Sequence, residues 1–166
     1  MSPISRISTN TPWEPIVGYS RLVRAGDMVA VSGTTATDER GLIVGAGQMY
    51  VQARKALDNI RAALEHVGVR MDQVIRTRMF VTDMERFPDV ARAHKEFFRD
   101  SPPASTLVEV RRLAHRDMLI EIEADAYAGV ATTQTANTKP RAATQSKPAK
   151  KVARKTAPKK KPTRRK

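Results

Sequence analysis

The chain has 166 residues, about the length of one domain, and its +13 net charge is unevenly spread: residues 1–134 hold 17 basic and 17 acidic side chains, while residues 135–166 hold the other 13 Lys and Arg and no acid. The lack of cysteine excludes disulfides, thiolate nucleophiles and Cys-bound metals. No apolar run approaches the roughly 18 residues of a membrane span, and Met1-Ser-Pro-Ile-Ser-Arg does not have the form of a signal peptide, so a soluble cytoplasmic protein is expected.

Leu22 to Val31 alternates about Gly26-Asp27, which predicts a hairpin of Arg21-Leu-Val-Arg and Met28-Val-Ala-Val-Ser. Asp38-Glu-Arg-Gly marks a second turn between Thr34 and Ile43. Met49, Ala53, Ala56, Leu57, Ile60, Leu64 and Val67 then recur every three or four residues, forming one apolar helical stripe that Gly68 closes. Val74 to Val81 reads as a strand with Ile75, Thr77, Met79 and Val81 on one face and Arg76, Arg78 and Phe80 on the other. A second helix is predicted over Phe87 to Phe98, with Pro88 in its first turn and Val90, Ala91, His94, Phe97 and Phe98 along one side. Pro102-Pro103 follows, then strands over Thr106 to Leu113 and Met118 to Tyr127.

This order predicts an α+β domain over residues 1–130, with a single mixed sheet and both helices on one face. In the last strand Glu121, Glu123 and Asp125 share a face and need solvent or a partner surface. Residues 131–166 form a second region, a polar linker followed by Lys/Arg/Pro/Ala-rich sequence. Its four prolines and dense like charge give it nothing to build a core from, so a disordered tail is expected.

Ordered tokens along the body carry a resemblance: Gly18-Tyr-Ser, Val31-Ser-Gly, Gln52-Ala-Arg-Lys-Ala-Leu-Asp-Asn-Ile, Phe80-Val-Thr-Asp-Met, Phe97-Phe, Pro102-Pro-Ala, Val108-Glu-Val, Arg112-Leu and Ile120-Glu-Ile-Glu-Ala. In this order and spacing they resemble the RidA (YjgF, reactive-intermediate deaminase) family over residues 10 to 128. The resemblance implies a chorismate-mutase-like fold, a homotrimer with pockets at the subunit interfaces, no cofactor, and hydrolysis of enamine or imine intermediates. By the same resemblance Glu121 is the catalytic carboxyl that places a water, and Tyr19, Ser32, Gly33, Ser105 and Leu107 contact substrate. One departure stands out: the family's deaminating members carry a carboxylate-binding arginine where this chain has Ser105. Another cation, with Arg78, Arg111 and Arg112 as candidates, then fills in, or the substrate lacks a carboxylate, or hydrolysis is lost.

Plainer readings stand beside each assignment. Glu121 is also an ordinary strand glutamate, Tyr19 an interface packing residue, and Ser32-Gly33 a turn at a strand end. The three histidines, His66, His94 and His115, have no metal-ligand spacing, so no metal site is expected. Two function classes remain open: a hydrolase of imines or related small electrophiles, and a trimeric ligand-binding scaffold tethered to nucleic acid. The tail cations Lys147, Lys150, Lys151, Arg154, Lys155, Lys159, Lys160, Lys161, Arg164, Arg165 and Lys166 resemble a linker-histone extension, suited to neutralising phosphates without reading bases. That would associate a cytoplasmic protein with the nucleoid; a solubilising tail, attachment to an acidic surface and a gene-fusion remnant are the competing explanations.

The tail assignment predicts sequence-independent binding to duplex DNA. With about six phosphate contacts, the log–log salt slope is expected near −5. Truncation after Gly129 should abolish the shift in a gel assay. A truncated body that still shifts DNA at about 150 mM salt would assign the binding to the wrong part of the chain.

Overall fold

The structure is a computed structural model and describes residues 4–9 and 13–129; the basic tail and its candidate phosphate-binding residues lie outside that range. The elements are β1 (Ile4–Ile7), α1 (Trp13–Val17), β2 (Leu22–Ala25), β3 (Met28–Thr34), α2 (Met49–Glu65), β4 (Val74–Val81), α3 (Phe87–Phe98), β5 (Ala104–Glu109) and β6 (Ile120–Tyr127). They form one six-stranded mixed sheet in the order β1-β2-β3-β6-β4-β5. Among the described residues only the β4–β5 pair is parallel.

The hairpin forms where the alternation places it: Ala25 pairs with Met28 across Gly26-Asp27, and Gly26 takes a left-handed φ of 62°. The Asp38 turn is closed by its own carboxylate, which accepts the backbone N–H of Arg40 and Leu42. Helix α2 buries the predicted stripe of Met49, Ala53, Ala56, Leu57, Ile60 and Leu64 against one face of the sheet. That face supplies Val29 and Val31 from β3, Met79 and Val81 from β4, and Ile120, Ile122, Ala124 and Ala126 from β6. Each large side chain so buried contributes roughly 1.5–3 kcal/mol. No helix among the described residues is long and apolar enough to cross a membrane.

Several local expectations change. A bulge between Val74 and Arg76 breaks the period of β4, so Val74 is buried and Ile75 exposed, reversing the side assigned to Ile75. In α3 the buried residues are Val90, Ala93 and Phe98, with Ala93 taking the place expected of Ala91. Strand β5 starts two residues earlier than Thr106 and ends at Glu109, because it pairs only as far as Val81 of β4. The short elements β1 and α1 were not foreseen. The carboxyl of Glu14 in α1 accepts hydrogen bonds from the Thr9 backbone N–H and hydroxyl and from Ser8, holding α1 to the segment after β1.

Two amides on α2 fasten the sheet's loops to the helix. Gln52 is fully buried; its Nε2 donates to the carbonyls of Asp117 at 2.7 Å and Gly45 at 3.2 Å, and its Oε1 accepts the Leu119 N–H at 2.8 Å. Asn59 Nδ2 donates to the carbonyls of Thr35 and Thr37. On the outer side of the helices Tyr50 donates to Glu96, and the Arg92 guanidinium sits 3.7 Å from the Tyr50 ring centre.

Gln52→Leu keeps the volume but strands buried backbone groups at Leu119 and Asp117. A loss of about 2–4 kcal/mol is expected, measured as a fall in the urea midpoint at unchanged slope. A loss below about 0.5 kcal/mol, the scale of a surface change, would show that the amide fastens nothing.

Candidate active site

The helices cover one face of the sheet and leave the other bare, so alternate residues of β6 point away from the core. Glu121, Glu123 and Asp125 lie on this open face, all partly buried. Strand β4 supplies their neighbours by register: Arg76 opposite Asp125, Arg78 opposite Glu123, and Phe80 opposite Glu121. Arg78 reaches both Glu123 and Asp125 at 3.3 Å, and Arg76 lies 4.0 Å from Asp125. The acidic row is therefore neutralised within the chain except at Glu121, which faces an aromatic ring and makes no hydrogen bond or ion pair among the described residues. Arg78, once a candidate to stand in for the missing arginine, is committed to these two carboxylates. Arg111 and Arg112 lie beyond the end of β5, both exposed.

A second bulge shapes the ground beside Glu121. Val31 pairs with Ala124 and Thr34 with Ile122, so Ser32 and Gly33 together oppose the single residue Glu123. The extra residue returns Thr34 to the buried face and brings the Gly33 backbone against the Glu121 carboxyl. A β-carbon at Gly33 would fall 1.9 Å from Oε1 and 2.9 Å from Cδ of Glu121. Any larger residue there would push the carboxyl aside. The Ser32 hydroxyl donates to the Ser20 carbonyl at 2.7 Å, which ties the bulge to the segment leading into β2.

Tyr19 enters this neighbourhood because Gly18, at φ 79°, ends α1 with a left-handed turn. The Tyr19 hydroxyl accepts a hydrogen bond from Arg21 Nη2 at 3.1 Å. Arg21 is the residue the sequence alone did not single out. Its Nη1 donates to the Gly33 carbonyl at 2.9 Å and to Thr34 Oγ1 at 3.1 Å, and its guanidinium lies 5.5 Å from the Tyr19 ring centre. A basic residue just ahead of a hairpin strand is too common to flag; the available signal was its place two residues after Tyr19, facing Ser32-Gly33 across the β2–β3 pair.

Tyr19, Arg21, Gly33 and Glu121 thus come together within one chain, whereas Ser105 and Leu107 do not join them. Strand β5 pairs Ser105 with Thr77 and Leu107 with Met79, residues whose side chains face the helices. The Thr77 hydroxyl donates to Ser105 Oγ at 3.0 Å and lies 3.0 Å from His94 Nε2. Burial holds the His94 imidazole below its ordinary pKa. Within one chain, then, Glu121 and Ser105 lie on opposite faces of the sheet with β4 between their strands. A hollow of about 470 Å³ bounded by Met71, Glu96, Phe97 and Arg99 includes none of these residues. Among the described residues no His, Asp and Glu side chains cluster to hold a metal ion.

Burial pushes the Glu121 carboxyl above the usual glutamate range, the nearby Glu123 charge adds to the rise, and Arg21 opposes it. A carboxyl so shifted is a better base than a solvated glutamate and can exchange a proton with water.

The profile of one protein family, described as Endoribonuclease L-PSP, matches residues 9–128. A RutC family protein of Pyrococcus horikoshii is 36% identical over 121 residues, covering 73% of this chain and 95% of its own. A protein of Dermatophagoides farinae named 2-iminobutanoate/2-iminopropanoate deaminase is 32% identical over 123 residues, covering 74% and 95% respectively. A crystal structure from Mycobacterium tuberculosis, described as a member of the YjgF/YER057c/UK114 family, superposes with a TM-score of 0.69 at 38% identity, covering 75% of this chain and 99% of its own.

The raised pKa of Glu121 fixes the sign of one prediction. Between the ordinary value of 4.5 and the raised folded value, the unfolded chain releases this proton first, so its ionisation costs stability as pH rises through that window. Glu121→Gln is expected to melt above the unaltered chain at pH 7, with the gap closing as pH falls toward 4.5. Equal melting temperatures at pH 7 would mean the carboxylate is fully solvated.

Proposed function

The chain belongs to the endoribonuclease L-PSP family, the RidA or YjgF group, and from that membership we propose that it hydrolyses small enamines and imines to the carbonyl compound and ammonia. The observation that carries this reading is Glu121, the member of its acidic row with no basic partner, set against Gly33 with its pKa raised. The chemistry asks little of a protein, because an iminium carbon is already electrophilic. Glu121 takes a proton from water as the oxygen adds to that carbon, then returns it to the nitrogen. The C–N bond breaks with its electron pair leaving on ammonia, and the oxygen loses its remaining proton to solvent. Iminium and water thereby give carbonyl and ammonium.

The name of the mite relative supports 2-imino acids as the substrate class to test first. We take the working form to be a homotrimer in which Ser105 and Leu107 of one copy approach Glu121 of the next. The opposite-face arrangement of these residues in a single chain supports that assembly. At the Ser105 position an arginine would offer a bidentate, charge-assisted contact worth about 1.5–3 kcal/mol or more to a carboxylate. A serine hydroxyl offers one neutral hydrogen bond.

A second reading is favoured by the same serine together with the cationic tail: a trimeric ligand-binding scaffold held on nucleic acid, with no turnover in its pocket. Timing the disappearance of imine generated by an amino-acid oxidase separates the two. The first reading expects slow hydrolysis of 2-iminobutanoate, a gain of roughly 10-fold or more in Ser105→Arg, and loss of that gain when Glu121→Ala is added. No acceleration over buffer by either the unaltered chain or Ser105→Arg would sink the hydrolase reading and leave the scaffold.

A further inference from the structure

We propose that Arg21 is an anion-binding residue of this site, taking the substrate carboxylate beside Glu121 on the same face of the same chain. The assignment rests on the imine-hydrolase reading for the identity of its ligand, though not for the existence of the anion site.

A guanidinium has five N–H donors in a rigid planar fork. In Arg21 three are used: two on Nη1 toward the Gly33 carbonyl and Thr34 Oγ1, and one on Nη2 toward the Tyr19 hydroxyl. All three acceptors are neutral. The Nε–H and one Nη2–H have no partner among the described residues, which leaves two donors for the oxygens of a carboxylate. The held donors orient the group and the free ones remain for a ligand.

Charge balance points the same way. Arg76, Arg78, Arg54 and Arg61 each have a carboxylate within 4.0 Å. Arg21 is half-buried and, like Arg24, has none among the described residues. A partly desolvated cation without a counter-ion is costly, and an arriving anion removes that cost.

Distance supplies the remaining link. Arg21 and Glu121 meet on opposite sides of one residue: the Gly33 carbonyl accepts from Arg21, and the Gly33 α-carbon abuts the Glu121 carboxyl. In a 2-imino acid the carboxylate is one bond from the imine carbon. A ligand held by Arg21 therefore keeps its electrophilic carbon within reach of the carboxyl that handles the water. A cation on the β2 side thus compensates for the loss of charge at Ser105 on β5.

The test uses the full chain and 2-oxobutanoate, the stable carbonyl product expected from 2-iminobutanoate, with its methyl ester as the uncharged counterpart. Calorimetry on the unaltered chain should show the acid binding roughly 10-fold or more tighter than the ester. Arg21→Gln should erase that preference, and Arg21→Lys should retain part of it, since the charge survives and the fork does not. Melting curves check that the bulge survives in each variant, and the acid–ester comparison on the unaltered chain needs no variant. No preference for the acid, or a preference that persists in Arg21→Gln, overturns the proposal. An Arg21-dependent preference without imine turnover would keep the anion site and reject the hydrolase; turnover with an Arg21-independent preference would do the reverse.

Discussion

The buried amide of Gln52 controls where β6 begins. Its oxygen accepts from Leu119 and its nitrogen donates to Asp117, so the chain is gripped on both sides of Met118 before the strand starts. With Leu119 held, Ile120 falls on the core face and Glu121 on the open face, as the two-residue period of a strand requires. A slip by one residue would bury three carboxylates under α2 and expose Ile120 and Ile122. The position of the candidate catalytic carboxyl is thus a consequence of a hydrogen bond made on the other side of the sheet.

From that register the distinct character of Glu121 follows. Its neighbours Glu123 and Asp125 are matched by Arg78 and Arg76 at the corresponding heights of β4, and they remain ordinary cross-strand ion pairs. One step further along, β4 presents Phe80, and β3 presents the bulge at Ser32-Gly33. An aromatic ring and bare backbone replace a guanidinium, and the carboxyl is left desolvated and unpaired. The same strand therefore carries two structural acids and one with its proton affinity raised, distinguished by what the adjacent strands place beside each.

Much of the fold was legible because its signals are local and periodic. The stripe of α2, the alternation of β6 and the Gly26-Asp27 turn each need only a few consecutive residues to be recognised. What was not legible depends on pairing between distant segments. The bulge in β4 that turns Ile75 outward is invisible in a strand read alone, and so is the limit that Val81 sets on β5. At the candidate site, Glu121, Gly33 and Tyr19 were named through family tokens. Arg21 escaped because its importance lies in what it touches: Tyr19 two residues before it and Gly33 across the hairpin. The ion pairs of the acidic row were hidden for the same reason, since the arginines that make them lie some 45 residues earlier in the chain.

The close approach at Gly33 also constrains how such a site can change over time. The Glu121 carboxyl occupies the volume that the first side-chain carbon of any other residue would need. A side chain at position 33 would push the Glu121 carboxyl off this backbone, whereas a change at Glu121 leaves Gly33 where it is, so the constraint runs from backbone to acid. Tyr19, Arg21 and Ser105 face no such restriction. New ligands can be accommodated by changing this rim while the Glu121 carboxyl keeps its place, which makes the bare backbone at Gly33 the constrained part of the candidate site and its surroundings the part open to adaptation.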